Sequence, residues 1–156
     1  MRTGRKGLAA ATLLLDLLKG TAAVLLAQYL ADAFDYGNAL DAGIAAALGA
    51  FLGHLYPIWL KFNGGKGVAT YAGIALGICW PVGLVFAVTW IGTLAIMRIS
   101  SLAGLLASSV APPLALYLGG PKIAAVLAIC TLLTFWRHRD NISRLLRGEE
   151  PKVGAK

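Results

Sequence analysis

Long apolar runs separated by short polar segments restrict the fold of this chain more than any other feature of its sequence. A helix crosses the hydrocarbon core of a membrane with about 20 largely apolar residues, and about 17 is a working minimum. The sequence contains such runs at 8–31, 40–60, 68–97, 101–118 and 121–136. These runs predict an all-α integral membrane protein.

The composition supports the same class of protein. Of the 156 residues, 58% are apolar and 13% are Asp, Glu, Lys or Arg, and the mean hydropathy is +0.74. A soluble domain of this size leaves about a third of its unfolded surface exposed to water. The charged residues are too few to cover that surface, which excludes a soluble enzyme, a DNA-binding module and a disordered tail.

The distribution of charge predicts the topology. Basic residues outnumber acidic ones by 14 to 7, and basic loops of membrane proteins stay on the cytoplasmic side. The run 68–97 is interrupted by Pro81 and Gly83, and two short helices there would give six spans. One side then holds these basic residues: Arg2, Arg5, Lys6, Lys61, Lys66, Arg98, Arg137, Arg139, Arg144, Arg147, Lys152 and Lys156. The other side holds only Lys122, together with Asp32, Asp35 and Asp41. A single span in 68–97 would remove this bias.

We therefore predict one transmembrane domain over 1–156, with spans at about 8–31, 40–60, 68–80, 82–97, 101–118 and 121–136. Both ends and the short loops that carry most of the basic residues are expected to be cytoplasmic. The tail, 137–156, is expected to contain a short basic helix, Asn141–Arg147, at the membrane interface.

Small residues recur at helix-packing spacing in two places. Ala45, Gly49 and Gly53 form one ladder, and Gly73 and Gly77 form another. Such ladders let membrane helices approach closely, so we assign these glycines to packing.

The loop before the third predicted span, Lys61–Gly67, combines glycines with lysines. Gly64, Gly65 and Gly67 let the backbone turn tightly and direct several N–H groups at one point, while Lys66 adds a full charge at a helix start. This pattern is suited to phosphate. It is not a Walker A loop, because Gly67 stands where Ser or Thr would bind magnesium. A flexible loop with an orienting lysine is the alternative.

A second cytoplasmic loop carries Arg98 with Ser100 and Ser101. A serine pair before a helix is an ordinary N-cap, and Arg98 is suited to anchor the loop at the membrane surface. The residues alone favour this structural interpretation over a role in binding substrate.

The tail brings the third group of candidates. His138 is suited to act as a general base, and Asn141 to orient it or to hold a substrate oxygen. The alternative is a basic helix that binds anionic lipid headgroups.

Polar residues also occur within the predicted spans. His54, near the end of its span, is interpreted as a structural hydrogen-bonding residue. Asp16 and Lys19, three residues apart, share a helix face. No acidic cluster or histidine pair has the spacing of a metal site, so we predict no metal ligand.

Several of these segments resemble motifs of the bacterial PlsY family. Gly53–Pro57 and Phe62–Thr70 resemble its G-H-x-F-P and F-x-G-G-K-G-V-A-T motifs, and Arg137–Lys152 resembles R-H-R-x-N-I-x-R-L-L-x-G-x-E-P-K. Ile99–Ala103 is similar to its I-S-S-L-A segment, and Leu15–Gly20 to its L-D-x-x-K-G helix. The resemblance runs from Arg2 to the end of the chain.

The resemblance implies an acyl-phosphate:glycerol-3-phosphate acyltransferase of the bacterial inner membrane. Such an enzyme makes lysophosphatidate for phospholipid synthesis and needs no cofactor or metal. Its partners would be acyl-phosphate, glycerol-3-phosphate and membrane lipid, with no nucleic acid, and we expect a monomer. By family pattern, Gly64, Gly65, Lys66 and Gly67 bind phosphate. The catalytic residues would be Lys66, Ser101, His138 and Asn141, of which the last three would help bind and orient the reacting groups. Glu150 would be a structural residue that holds the tail in place.

The family pattern has seven spans and a conserved loop after the first, ending in an arginine that is expected to hold phosphate and that Arg2 would match. The first helix and the rest of that loop have no counterpart here, so we expect a start codon assigned too late, or a fragment. The alternatives to an active enzyme are an inactive truncated acyltransferase and a small transporter or channel for anionic metabolites. The latter is disfavoured because the chain has no evident internal repeat.

Overall fold

The structure is a computed structural model that describes residues 6–154, and every regular element within that range is helical. The described residues form seven α-helices and one short 3-10 helix in succession. Their bounds are α1 Lys6–Ala33, α2 Ala39–Leu55, the 3-10 helix Ile58–Leu60, α3 Val68–Ile78, α4 Trp80–Met97, α5 Ser100–Leu118, α6 Pro121–Arg137 and α7 Arg139–Leu146. The all-α prediction is confirmed over this range, and the tail helix begins two residues earlier than expected.

Four helical segments in the described part of the chain are long and apolar enough to cross a membrane. They are Gly7–Ala33, Ala39–Leu60, Trp80–Met97 and Ser100–Leu118. The other two predicted spans, 68–80 and 121–136, correspond to the shorter helices α3 and α6, which have 11 and 17 residues. At 1.5 Å per residue these helices are about 16 and 25 Å long, against roughly 30 Å of hydrocarbon core. Six crossings therefore stay a prediction.

The long apolar run 68–97 is divided at Cys79, two residues before the predicted interruption at Pro81. Cys79 has an extended φ of −156° and caps α4, while Pro81 lies in the first turn of that helix. Proline is well suited to this position because the first helical residues have no intrahelical use for their N–H groups. The chain forms two compact units, one ending at Ile78 and the other beginning at Cys79.

In the first unit, α1 packs against both α2 and α3, and glycines let α1 and α3 touch. A Cβ on Gly73 would overlap the carbonyl oxygen of Leu17, and one on Gly20 would lie 2.7 Å from the carbonyl oxygen of Thr70. The Thr21 hydroxyl uses this close approach to donate a hydrogen bond of 2.8 Å to the carbonyl of Gly73. The contact between α1 and α3 therefore has no room for a side chain at Gly73.

The two predicted glycine ladders behave differently. Gly77 also faces α1, where a Cβ would lie 3.0 Å from Val24, so the ladder of α3 is a packing surface as predicted. For α2 the prediction is wrong: within the described residues, and apart from the neighbouring residues and backbone of α2 itself, no atom lies within 4 Å of a Cβ built on Gly49 or Gly53. The buried face of α2 carries other residues, Gly43, Ala47, Phe51 and Leu55.

In the second unit, α5 packs against α4 and α6 although it contains two prolines. Pro112 has no N–H group, so the carbonyl of Ser108, one turn earlier, loses its helical donor. The Thr131 hydroxyl on α6 donates to that carbonyl at 2.8 Å. A side chain from a neighbouring helix thus restores the bond, as apolar surroundings require.

Substitution of Gly73 by alanine is expected to destabilise the protein, because the added Cβ overlaps the backbone of α1. Overpacking of this kind costs roughly 1–3 kcal/mol in free energy of unfolding. Gly49→Ala is the matched control, and we expect it to be neutral or to stabilise its helix by up to about 1 kcal/mol. Thermal denaturation of the detergent-solubilised proteins measures both effects, and equal losses at the two positions would contradict the packing described here.

Candidate active site

The segment between α2 and α3 folds back onto the end of α2. The backbone passes through the 3-10 helix and then through left-handed conformations at Lys61 and Phe62, with φ of 50° and 64°. The N–H of Gly64 then donates to the carbonyl of Leu55 at 3.1 Å, and that of Gly65 donates to the carbonyl of His54 at 3.3 Å. These carbonyls belong to the last turn of α2 and have no intrahelical donor.

Each of the three glycines in this loop is required by its surroundings. A Cβ on Gly64 would overlap the carbonyl oxygen of His54, and a Cβ on Gly65 would overlap Nε2 of the His54 ring. Gly67 has a positive φ of 85° and lies against the Phe51 ring. The expectation that Gly64 and Gly65 point their N–H groups at a ligand differs from what is observed, because both groups donate to α2. These two glycines shape the loop.

Lys66 and the first turn of α3 form the part of this segment with the charge to bind an anion. Lys66 is exposed, and Gly67 next to it accepts the first helical bond, from the N–H of Tyr71 at 2.7 Å. The N–H groups of the first turn of a helix point away from its body, and the helix dipole is positive at this end. A lysine two residues before the first residue of such a helix suits a phosphate or carboxylate.

His54 is a residue whose position the sequence did not reveal. Its Nδ1 lies 2.8 Å from Nζ of Lys19 and 3.4 Å from Oδ1 of Asp16. Lys19 and Asp16 share a face of α1, as predicted, and their charged atoms are 2.5 Å apart. An oppositely charged pair inside an apolar run was the available signal that this face has a polar partner.

Glu150 joins two of the predicted site residues in the second unit. The Ser101 hydroxyl donates to its Oε1 at 2.6 Å, and the Asn141 amide donates to the same oxygen at 2.5 Å. The Arg144 guanidinium donates to Oε2 at 2.7 Å. The side chain of Glu150 is only 7% exposed, so the three donors replace the water that this carboxylate loses.

These contacts determine the pKa of Glu150. Burial by itself would raise it, but the hydrogen bonds from Ser101, Asn141 and Arg144 and the charge of Arg144 together hold the pKa below the ordinary carboxyl value. The carboxylate is therefore charged at neutral pH.

The sequence predicted that the serine pair caps α5, and the structure differs. Ile99 is the N-cap residue and makes no side-chain capping bond, while the Ser101 hydroxyl donates to Glu150 instead.

His138 lies at the junction of α6 and α7 and is 2% exposed. Its Nδ1 is 2.8 Å from the carbonyl oxygen of Thr134. A carbonyl can only accept, so Nδ1 carries the proton and Nε2 of the neutral ring has the lone pair. The fold thereby holds His138 in the tautomer that accepts a proton at Nε2.

The end of the described chain is tied to the turn before α5. The Val153 N–H donates to the carbonyl of Arg98 at 2.6 Å, and the Arg98 guanidinium donates back to the carbonyl of Val153 at 3.0 Å. Arg98 adopts a left-handed conformation, with φ of 59°. Arg98 therefore holds the tail in place. The sequence had instead predicted that Arg98 anchors its loop at the membrane surface.

The remaining predicted site residue, Arg2, lies outside the described residues. Within the described range, no group of three or more His, Cys, Asp or Glu side chains is placed to hold a metal ion. The predicted residues therefore occur as two groups: the loop ending in Lys66 and Gly67 in the first unit, and Ser101, Asn141 and His138 in the second.

Comparison with known proteins gives the family. A family model described as glycerol-3-phosphate acyltransferase matches residues 1–148. A glycerol-3-phosphate acyltransferase of Rhodopseudomonas palustris (strain BisB5) is 56% identical over 156 residues, which are the whole of this chain and 76% of the relative. One from Mesorhizobium japonicum is 52% identical with the same coverage.

Solved structures agree with this result. The crystal structure of PlsY (YgiH), an integral membrane glycerol 3-phosphate acyltransferase, in its glycerol 3-phosphate form has a TM-score of 0.85 and 31% identity, covering 98% of this chain and 74% of that one. The lysophosphatidic acid form gives a TM-score of 0.86. The chain thus belongs to the glycerol-3-phosphate acyltransferase family, whose members are integral membrane enzymes of the transferase class. The predicted family and the membrane class are confirmed.

Replacement of Gly65 by alanine is expected to raise the KM for glycerol-3-phosphate by about tenfold, because the new Cβ overlaps the His54 ring and displaces the loop before Lys66. Gly53→Ala, one residue before His54 in α2, is the matched control and should leave KM unchanged. Steady-state kinetics at varied glycerol-3-phosphate measure both, and an unchanged KM in the Gly65 variant would contradict the steric requirement.

Acid is expected to destabilise the attachment of the tail. The pKa of Glu150 is lowered in the folded protein, so its stabilising contribution is present above the ordinary value of 4.5 and is lost as pH falls through the lower folded value. Glu150→Gln should cost roughly 1–3 kcal/mol at pH 7 and remove this part of the pH dependence.

Glu149→Gln is the matched control for that experiment. Glu149 is exposed and pairs with Arg147, so its replacement should cost less than about 1 kcal/mol. Thermal denaturation in detergent from pH 7 down to the acidic range measures all three proteins. A Glu150→Gln variant as pH-sensitive as the wild type would contradict the assignment.

Proposed function

We propose that this protein transfers an acyl group from acyl-phosphate to the 1-hydroxyl of glycerol-3-phosphate, giving lysophosphatidate and inorganic phosphate. The hydroxyl oxygen attacks the acyl carbon, the bond from that carbon to the phosphate oxygen breaks, and the hydroxyl proton leaves for a base. The observation that carries the proposal is the loop ending in Lys66 and Gly67, where a cation stands two residues before the first residue of α3. The family match over residues 1–148 supplies the acceptor substrate.

Lys66 and the first turn of α3 are proposed to bind phosphate. Phosphate is a good leaving group, so the main tasks of the protein are to position two anions and to stabilise developing charge. The ammonium of Lys66 and the positive end of α3 suit both tasks. Gly64, Gly65 and Gly67 contribute by shaping the loop, and Arg2 is proposed as a further phosphate ligand on the family pattern.

His138 is proposed to act on the attacking hydroxyl. Its Nδ1 proton is held by the carbonyl of Thr134, so Nε2 is the nitrogen that accepts. A phosphate oxygen of the substrate is the second acceptor available for the same proton. In either case a buried and oriented ring reduces the reorganisation that the reaction needs.

Ser101 and Asn141 are proposed to orient the reacting groups. The single hydroxyl proton of Ser101 is donated to Glu150, which leaves the Ser101 oxygen as an acceptor for a substrate hydroxyl. Asn141 has its amide nitrogen fixed on the same carboxylate. Glu150 is proposed as a structural residue that sets both side chains.

For topology we propose six crossings in the bacterial inner membrane, with the described ends and the site loops on the cytoplasmic side and the protein acting as a monomer. The one-sided distribution of basic residues supports this orientation. Arg139 lies 5.2 Å from the centre of the Trp136 ring, and such an aromatic and basic pair suits the membrane interface. The acyl chain of the donor would then lie among the helices, with its phosphate at the cytoplasmic surface.

Lys66→Ala is expected to abolish turnover while the fold is retained, because an exposed cation is lost without removal of a packed side chain. Lys61→Gln is the matched control, an exposed lysine five residues earlier that should keep nearly full activity. The assay supplies purified protein with acyl-phosphate and glycerol-3-phosphate without added metal, and measures lysophosphatidate. A Lys66 variant that keeps most of its activity would overturn the assigned role.

A further inference from the structure

Asp16, Lys19 and His54 form a polar cluster to which the proposed reaction assigns no role. Charged residues in an apolar helix are costly unless they are paired, and the Asp16–Lys19 contact by itself meets that requirement. The ammonium of Lys19 nevertheless extends to His54, 35 residues away at the end of α2. Neutralisation of charge therefore does not explain the contact between Lys19 and His54.

The contact fixes the protonation pattern of the imidazole. An ammonium has three donors and no acceptor, so at 2.8 Å it donates to Nδ1 of His54. A neutral imidazole that accepts at Nδ1 carries its proton on Nε2. Asp16, 3.4 Å from Nδ1, balances the ammonium charge beside the ring.

The opposite edge of the same ring lies against the glycine loop. Nε2 of His54 occupies the space that a Cβ on Gly65 would take. The backbone of His54 contacts the loop as well, because its carbonyl accepts the N–H of Gly65 at 3.3 Å. His54 thus meets Gly65 through both its side chain and its main chain, one residue before Lys66.

We propose that Asp16, Lys19 and His54 are positioning residues for the phosphate-binding loop. The Asp16–Lys19 pair on α1 sets the tautomer and orientation of His54, and the ring of His54 sets Gly65 and hence the place of Lys66. This inference rests on the proposed function, since it takes that loop as the site for the phosphate of glycerol-3-phosphate. It assigns to three side chains on α1 and α2 the control of substrate affinity without contact with the substrate.

The test compares Lys19→Met with Lys122→Met, a lysine in the first turn of α6. We expect Lys19→Met to raise the KM for glycerol-3-phosphate about tenfold, while kcat and the KM for acyl-phosphate stay within about threefold. Lys122→Met should match the wild type, and Lys19→Arg, which keeps a donor, should recover most of the affinity. Thermal denaturation of each protein tracks folding.

A double variant separates positioning from direct contact. The amide of His54→Gln places an N–H donor near the position of Nε2 without help from Lys19. Adding Lys19→Met to this background should therefore raise KM no further, since the two residues act through one path. An additional increase of about tenfold would show that Lys19 acts on the substrate itself and would overturn the proposal.

The remaining outcomes are distinct. An unchanged KM in Lys19→Met, or a parallel change of both KM values and kcat with a lower melting temperature, overturns the positioning role. If the wild type forms no lysophosphatidate, the proposed reaction is wrong. Calorimetric titration with glycerol-3-phosphate then tests the positioning role on its own. Weaker binding by Lys19→Met than by wild type supports the inference, and absence of binding by the wild type overturns it together with the proposed function.

Discussion

The carbonyl groups that end α2 are the feature on which the proposed phosphate site depends. A helix leaves its last carbonyl oxygens without intrahelical donors, and in apolar surroundings such groups need partners within the protein. Here the donors are the N–H groups of Gly64 and Gly65, which return to Leu55 and His54. This return is possible only for residues without a Cβ, and it delivers Lys66 to the start of α3. One backbone segment therefore caps one helix and leads directly into the next, with Lys66 beside the start of that next helix.

The same physical requirement organises the second unit around a carboxylate. The side chain of Glu150 is only 7% exposed, and its charge is tolerated because Ser101, Asn141 and Arg144 all donate to it. Removing an ion from water costs several kcal/mol, so loss of any of the three donors would leave the carboxylate poorly compensated. The three donor side chains are therefore held in place by their bonds to Glu150. The side chains proposed to orient substrate thereby gain rigidity from the tail. The reciprocal bonds between Arg98 and Val153 hold that tail in place.

Some parts of this arrangement are readable from sequence because they depend on local chemistry. Apolar runs predict the long helices, and Pro81, two residues after Cys79, predicts the division between α3 and α4 within one or two residues. Glycine and lysine types also predict where the unusual backbone lies. Spacing alone fails where two surfaces look alike: the ladder at Gly73 is buried against α1, whereas the ladder at Gly49 is exposed. Both have the same four-residue period, and only the packing of neighbouring helices distinguishes them.

The sequence by itself determined the membrane class, the helical fold, the family and the residue types of the site. These follow from composition, from period and from motif order along the chain. Tertiary structure decided what each group bonds to: Ser101 finds Glu150 49 residues later, and Lys19 finds His54 35 residues later. A helical pattern specifies which face a side chain occupies, but the partner opposite that face is set by how the helices pack. For this reason the N–H groups of Gly64 and Gly65, which the sequence predicted to face a ligand, instead donate to carbonyl groups at the end of α2.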